Sequence, residues 1–328
     1  MINLKKITIL ILTDSSKSPY IDRCIQYHQD LGCKIIIIDT SKKILNINHN
    51  NVKVIQCSKK DLYQRLKFGV SKINSKYLLW LGDDDFLIKK TFFKCLKLLN
   101  KKKYNMIQGQ YSKFYEKNFR LEDYNSNYFF YNLKNYNKFQ NTKYAIENFY
   151  YSFKTFNPHA ILNKVLFEQS IDFFLKHKNF KPFAYFDKIM SIFFLIKGKS
   201  HLINDLYQLR SFGTGLWQNK ENYVKDKNSY FFSSNIYNLL YELEKNTYLK
   251  RMISKKLSTQ SWMKFISNVK DLAIEEKHSH EKQTLIGNLF NSIKKKFNKF
   301  DHLKISNYKN HSVEIELIKS KVNNVKKN

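Results

Sequence analysis

Turn-forming residues are scarce in this chain, with 3 Pro and 8 Gly among 328 residues. Joined to abundant Lys, Asn, Ile, Phe and Tyr, that scarcity reads as the nucleotide bias of an AT-rich genome rather than a selected surface. Arginine is nearly as rare. Five of the 58 basic residues are Arg (Arg23, Arg65, Arg120, Arg210 and Arg251), whereas proteins that read base edges rely on the bidentate Arg fork. The composition therefore argues against a nucleic-acid partner. The formal charge of +31, from 58 basic and 27 acidic residues, still implies attraction to something anionic, such as a membrane surface or a phosphorylated ligand.

The four cysteines, Cys24, Cys33, Cys57 and Cys95, lie far apart, without a Cys-x-x-Cys pair or a histidine at zinc spacing. That excludes a zinc ribbon and leaves reduced, buried thiols of a cytoplasmic protein as the expectation. No apolar run approaches the roughly 20 residues that span a bilayer. Residues 7–12 are apolar but run straight into Thr13, Asp14, Ser15, Ser16 and Lys17, which is not the pattern of a secretory signal.

What remains is ample for a packed protein. Hydrophobic residues make up 43% of the chain, enough for a core in one sizeable domain with an appendage or in two modest domains. The first hundred residues alternate strand and helix signals, the pattern of an α/β fold with a mostly parallel sheet. Strands are expected at 7–12, 34–39, 52–56, 77–81 and 106–115. A helix should open at Ser18-Pro19 and end at Gly32. A second opens at the capping-box spacing of Ser58 and Asp61, and a third runs from about 89 to 99. Residues 118–141, rich in Tyr, Asn and Phe, read as a long loop or insertion. A helix is expected at 184–196, and Gly213-Thr214-Gly215 suggests a mobile loop. The expected organisation is a domain at 1–215, a helical region at 216–300 and a poorly ordered basic tail at 301–328. Leu285, Ile286, Leu289, Phe290, Ile293 and Phe297 share one helix face beside Lys294, Lys295, Lys296 and Lys299. That face fits either an anchor on an anionic bilayer or packing on its own domain.

The most informative feature is the acidic triplet Asp83-Asp84-Asp85, which follows the apolar run Tyr77 to Leu81 and Gly82. The glycine lets the backbone turn, and the carboxylates emerge beyond the carboxyl end of a buried strand, where ligands bind in open α/β sheets. Like charges at that density repel unless a cation joins them. A divalent metal carrying a diphosphate is the simplest occupant, and a solvated turn or a cap for the helix near Lys89 is the plain alternative.

The order of elements resembles the GT-A nucleotide-sugar glycosyltransferases, closest to the family-two-like branch that builds bacterial surface polysaccharides. The residues carrying this are Ile9-Leu10-Ile11-Leu12-Thr13, Ile35 to Ser41, Tyr77 to Phe86, and Phe186-Asp187 with Gly198-Lys199. The chain departs from the pattern at the first turn, which lacks a Pro before Thr13, and at Phe186, where a second acid is common. The resemblance implies a GT-A domain and a metal-dependent, inverting transfer of sugar to a surface-polysaccharide or lipid-linked acceptor. Mg²⁺ or Mn²⁺ would be the cofactor, and contact with the inner membrane would be peripheral. It implies that Thr13 and Asp39 contact the nucleoside, Asp83 the ribose or a bridging water, and Asp85 the metal, with Asp84 open between ribose and metal. Asp187 would be the catalytic base, or else an ordinary acid at a helix start. Lys67 and Arg210 would hold phosphates, or else be solvated surface charges. His159 would orient the acceptor or be structural. A nucleotidyltransferase is disfavoured because no Gly-rich basic loop follows the first strand. A non-enzymatic binding protein is the remaining alternative.

Overall fold

The computed structural model describes residues 4–42, 45–59, 61–101, 104–116, 119–123, 159–176, 190, 194, 199–212 and 308–324. Strands β1 (Ile7–Thr13), β2 (Lys34–Asp39), β3 (Val52–Gln56) and β4 (Tyr77–Leu81) are parallel, in the spatial order β3-β2-β1-β4. Helix α1 (Ile21–His28) lies between β1 and β2 in the chain, and α2 (Leu62–Ser71) between β3 and β4. Beyond β4 the sheet becomes mixed. It continues through β8 (Ile161–Asn163), β6 (Tyr104–Tyr115), β9 (Lys199–Phe212) and β5 (Phe86–Leu87), while β7 (Arg120–Asp123) pairs with β6. Helix α3 (Lys89–Lys101) follows β5, α4 (Lys164–Lys176) follows β8, and α5 (Ser312–Asn324) comes last.

The central strands are buried because their residues are apolar in succession. Ile35, Ile36, Ile37 and Ile38 of β2 are all buried, as expected of a strand covered on both faces. On one face Ile7, Ile9 and Ile11 join Ile21, Cys24 and Ile25 of α1 and Phe92, Cys95, Leu96 and Leu99 of α3 in one core. On the other, Leu10 and Ile38 meet α2 at Gly69, where a Cβ would stand 2.8 Å from Leu10 Cδ1. Tyr63 of α2 stacks on Phe174 of α4 at 5.0 Å, so those two helices pack together.

The chain divides into two compact units, one of Met1–Asn125, Phe156–Thr214 and Asn307–Asn328, the other of Ser126–Thr155 and Gly215–Ser306. All the elements above belong to the first. The GT-A-like α/β expectation holds there, with several local corrections. Ser18-Pro19 does not start the first helix, because the Asp14 carbonyl takes the Lys17 and Ser18 amides into a turn; α1 begins at Ile21. Gly32 ends that segment with φ of 73°, a conformation suited to glycine. Asp61 caps α2 itself, accepting the Gln64 amide at 3.0 Å. Asp85 does not cap α3, since β5 intervenes. Within the expected insertion, residues 120–123 form β7. In the expected basic tail, residues 312–324 form α5. Asp187, residues 213–215 and the helix expected over 285–297 lie outside the described residues.

Strand β9 was not expected at all, and it departs from regular pairing. Gln108 pairs with Leu202 and Gln110 with Leu206, so β9 bulges against β6 across Asp205. Gly109 makes this possible, because a Cβ there would come within 2.6 Å of both the Asp205 carbonyl oxygen and Tyr207 Cβ. Neither obstacle is the loose end of a side chain. Gly109→Ala is therefore expected to cost about 2–3 kcal/mol of stability in denaturant unfolding. A loss below about 0.5 kcal/mol would mean that β6 and β9 are not held this closely.

Candidate active site

Parallel pairing brings three sequence positions to one edge. Thr13 is the register partner of Asp39, and Ile11 that of Leu81, so the acidic triplet emerges beside the end of β1. Thr13 Oγ1 donates to Asp83 Oδ2 at 2.6 Å. The Asp39 carboxylate accepts the amide and hydroxyl of Ser15 at 3.0 and 2.6 Å. It also accepts the amide and hydroxyl of Ser41 at 2.9 and 2.8 Å. Burial works to raise the Asp39 carboxyl, and these four bonds outweigh it and hold the group below its ordinary value. A fully buried, ionised carboxylate thus clips the turn after β1 to the turn after β2.

Asp85 points the other way, into the protein. It is 3% exposed. Its Oδ1 accepts the Ser211 amide at 3.0 Å and its Oδ2 the Gln208 side-chain amide at 2.9 Å, with Arg210 Nε at 3.7 Å. Burial, followed by repulsion from Asp84, pushes its carboxyl up to about 7 despite Arg210 and the Ser211 amide, which act against the rise. Asp83 and Asp84 are half-buried.

The donor chemistry fits a hard divalent cation. A Cβ on Gly82 would stand 3.0 Å from Asp84 Oδ1 and 2.8 Å from Asp85 Oδ2. Two carboxylate oxygens therefore fold back over a backbone position that carries no side chain, and oxygen donors of this kind suit Mg²⁺ or Mn²⁺. Among the described residues, no three His, Cys, Asp or Glu side chains converge as a ready-made metal cluster.

Further residues, not singled out from the sequence, hold this turn. Glu116 receives Arg23 Nη1 at 2.7 Å, with Nη2 on its other oxygen, and the Ser211 hydroxyl at 2.9 Å. That network ties α1 and the end of β6 to the strand that grips Asp85. The Cys24 thiol lies 3.7 Å from the Gly82 carbonyl oxygen and 3.8 Å from that of Asp85. His28 donates from Nδ1 to the Cys24 carbonyl at 2.6 Å and accepts the Leu87 amide at Nε2 at 3.1 Å. Ser15 and Ser41 stood in plain view as polar residues at strand ends. Gln208 and Ser211 gave no signal because β9 itself gave none.

Arg210 joins the site. Lys67 is not brought to it, for its ammonium sits between Glu168 Oε1 at 3.0 Å and Asp172 Oδ1 at 2.7 Å, tying α2 to α4. His159 is structural, its Nδ1 donating to the Trp80 carbonyl at 2.6 Å just before the acidic turn.

A buried acidic turn at the carboxyl edge of a mostly parallel sheet, beside a clipped pair of strand-end loops, defines a GT-A glycosyltransferase domain. Residues 4–162 match the model of the family described as glycosyl transferase family 2. The protein is therefore a glycosyltransferase, which sets aside the binding-protein and nucleotidyltransferase readings. The structure is similar to that of residues 1–349 of S. aureus TarS, with 10% identity, TM-score 0.47, and coverage of 86% of this chain and 92% of that one. The same TarS fragment in complex with UDP-GlcNAc gives 12% identity, TM-score 0.49 and the same coverages, 86% and 92%. A longer S. aureus TarS structure gives 13% identity and TM-score 0.47 over 82% of this chain and 50% of that one. No curated protein matches the chain in sequence.

The two buried imidazoles make a testable pH dependence. Burial lowers His28 from 6.5 to about 3, with Lys89 adding to the effect. It does the same for His159, to about 3, with Arg210 adding. Each neutral ring stabilises the fold fully above pH 6.5, and that contribution is lost as pH falls toward 3. Asp85, being raised, acts in the opposite sense, so the comparison needs a variant. His159→Gln is expected to reduce the pH slope of unfolding free energy between about pH 4 and 6 by about 1.4 kcal/mol per pH unit. Equal slopes in wild type and variant would show that His159 is not held neutral.

Proposed function

We propose that this glycosyltransferase moves a sugar from a nucleotide-sugar donor to a hydroxyl of a surface-polysaccharide or lipid-linked acceptor, with inversion. The observation that carries the reading is the acidic turn: one carboxylate set by Thr13, one clamped by β9, and one between them, within the family 2 domain.

The roles follow from what each group can do. Asp39, already saturated by Ser15 and Ser41, fixes the two turns that receive the nucleoside. Asp83, held by Thr13, faces the ribose. Asp84 and Asp85 would hold Mg²⁺ or Mn²⁺, which when bound stabilises the departing diphosphate as a Lewis acid. The Arg210 guanidinium is a fixed positive charge beside them, suited to phosphate oxygens. Asp187, by its place in the family pattern, takes the proton of the acceptor hydroxyl as general base. The protein works at the cytoplasmic face, in peripheral contact with an anionic inner membrane, as its net charge of +31 allows. Among the described residues, no helix is long and apolar enough to cross a membrane.

Slow hydrolysis of nucleotide sugars by the purified protein, with and without Mn²⁺, tests the reading directly. One or more donors should be hydrolysed, and chelator should abolish the turnover; hydrolysis indifferent to chelator would remove the metal from the scheme. Asp85→Asn should lower metal-dependent turnover by at least about 100-fold without lowering the melting temperature. The charge it removes is buried at a cost, and Gln208 Oε1, buried without a partner, can turn to accept from the new amide. A melting temperature that drops together with activity would mark Asp85 as merely structural. Asp187→Asn should cut transfer to acceptor by about 10²–10⁴ while nucleotide affinity holds. Equal losses in both would rule it out as the base.

A further inference from the structure

The chain leaves its first unit at Thr214 and rejoins it at Asn307. What rejoins is a single turn, Tyr308–His311, and α5. Helix α5 is seated by Ile315, Ile318 and Val322, all buried and spaced along one helical face. Polar ties accompany that seat. The Tyr308 and Ser112 hydroxyls lie 2.7 Å apart, His311 Nε2 is 2.7 Å from Asp205 Oδ1, and Lys321 Nζ is 3.5 Å from Gln26 Oε1.

Glu314 makes the contact of most consequence. Its Oε1 accepts the Lys89 amide, one of the unpaired N–H groups that open α3. The same oxygen lies 2.6 Å from the Tyr27 hydroxyl. Helix α3 has no acid in its own first turn, where Lys89 and Lys90 stand instead. The negative charge that a helix start favours is thus supplied from 225 residues away. The neighbouring contacts converge on the segment between the acidic turn and α3. The Tyr27 hydroxyl is also 2.9 Å from the Leu87 carbonyl oxygen, His28 accepts the Leu87 amide, and the Ile88 amide donates to the Tyr207 carbonyl at 2.7 Å. Asp85 and Lys89 are only four residues apart, so a shift at the start of α3 has little chain in which to dissipate.

We propose that Glu314 is a positioning residue for the acidic turn: by capping α3 it fixes β5, and through β5 the depth at which Asp84 and Asp85 stand. The inference rests on the reading of that turn as the site of the leaving diphosphate. It makes the C-terminal helix a working part of the catalytic unit rather than an appendage. Glu314 touches neither donor nor acceptor and acts through Lys89 and Tyr27.

The test compares full-length Glu314→Ala and Glu314→Gln with wild type, by hydrogen exchange of the peptide covering residues 82–92 and by steady-state hydrolysis of the nucleotide sugar. Glu314→Ala should speed exchange at residues 86–92 about five- to tenfold, as loss of a cap does. Its kcat should fall about tenfold or more while the donor KM changes less than about twofold. Glu314→Gln keeps an acceptor oxygen and should recover most of both. Unchanged exchange in Glu314→Ala would overturn the proposal, and so would faster exchange with kcat intact or equal losses in the two variants. If the wild type hydrolyses no nucleotide sugar, the donor reading fails, and the exchange comparison alone decides whether Glu314 sets the turn.

Discussion

Burial of the Asp85 carboxylate against β9 is the constraint on which the rest of this site depends. A carboxylate taken out of water is costly unless donors meet it. Here the donors are a side-chain amide and a backbone amide from one strand, with a guanidinium alongside. They do not fully compensate, as the rise of its carboxyl to about 7 records. The turn is therefore held in place by a carboxyl whose ionisation is disfavoured by burial and by Asp84. Asp39 is the contrast within the same site, a carboxylate whose bonds from Ser15 and Ser41 overcome burial.

The first half of the fold was legible because local and global signals agree there. The isoleucine run of β2, the apolar run of β4 and the spacing of Phe92, Cys95, Leu96 and Leu99 each specify one element and one buried face. The carboxylates at the strand ends were legible for the same reason, since parallel strands of known order must deliver their C-terminal residues to a common edge. Thr13, Asp39 and Asp83 met as the order of elements required. The orientation of Asp85 was not legible. Whether a carboxylate after Gly82 faces solvent or core depends on what lies behind it, and that is β9.

Strand β9 escaped notice because Asn204-Asp205 interrupts its sequence at the bulge, where the register with β6 shifts. The deviation is compensated only in three dimensions. Gly109 on the neighbouring strand makes room for it, while Lys94 and His311 supply charge and a hydrogen bond to Asp205. Helix α5 escaped for a related reason. A short helix flanked by polar and basic residues carries little signal of its own, and its apolar stripe has meaning only once it packs beside α1. Lys67 shows the converse error. A basic residue on a helix near an anionic site suggests phosphate binding, yet two carboxylates on α4 are nearer and claim it.

The scarcity of arginine proves more informative than the excess of lysine. With 58 basic residues and five Arg, 58 − 5 leaves 53 Lys, so an Arg at random would rarely fall in the site. Yet Arg23 and Arg210 both stand around the acidic turn. Arg23 is buried and forks onto both oxygens of Glu116, with its guanidinium 4.5 Å from the centre of the Tyr20 ring and 5.4 Å from that of Phe86. A lysine offers a single rotating ammonium, more strongly hydrated and unable to span two carboxylate oxygens while lying flat between rings. The distinction follows from geometry rather than charge. Where a lysine serves, as at Lys67, the contacts are exposed or half-exposed and the partners are separate side chains. Where two oxygens and two aromatic faces must be satisfied at once inside the protein, only the planar fork fits, and the turn that carries Asp85 is braced from behind by that fork through Glu116 and Ser211.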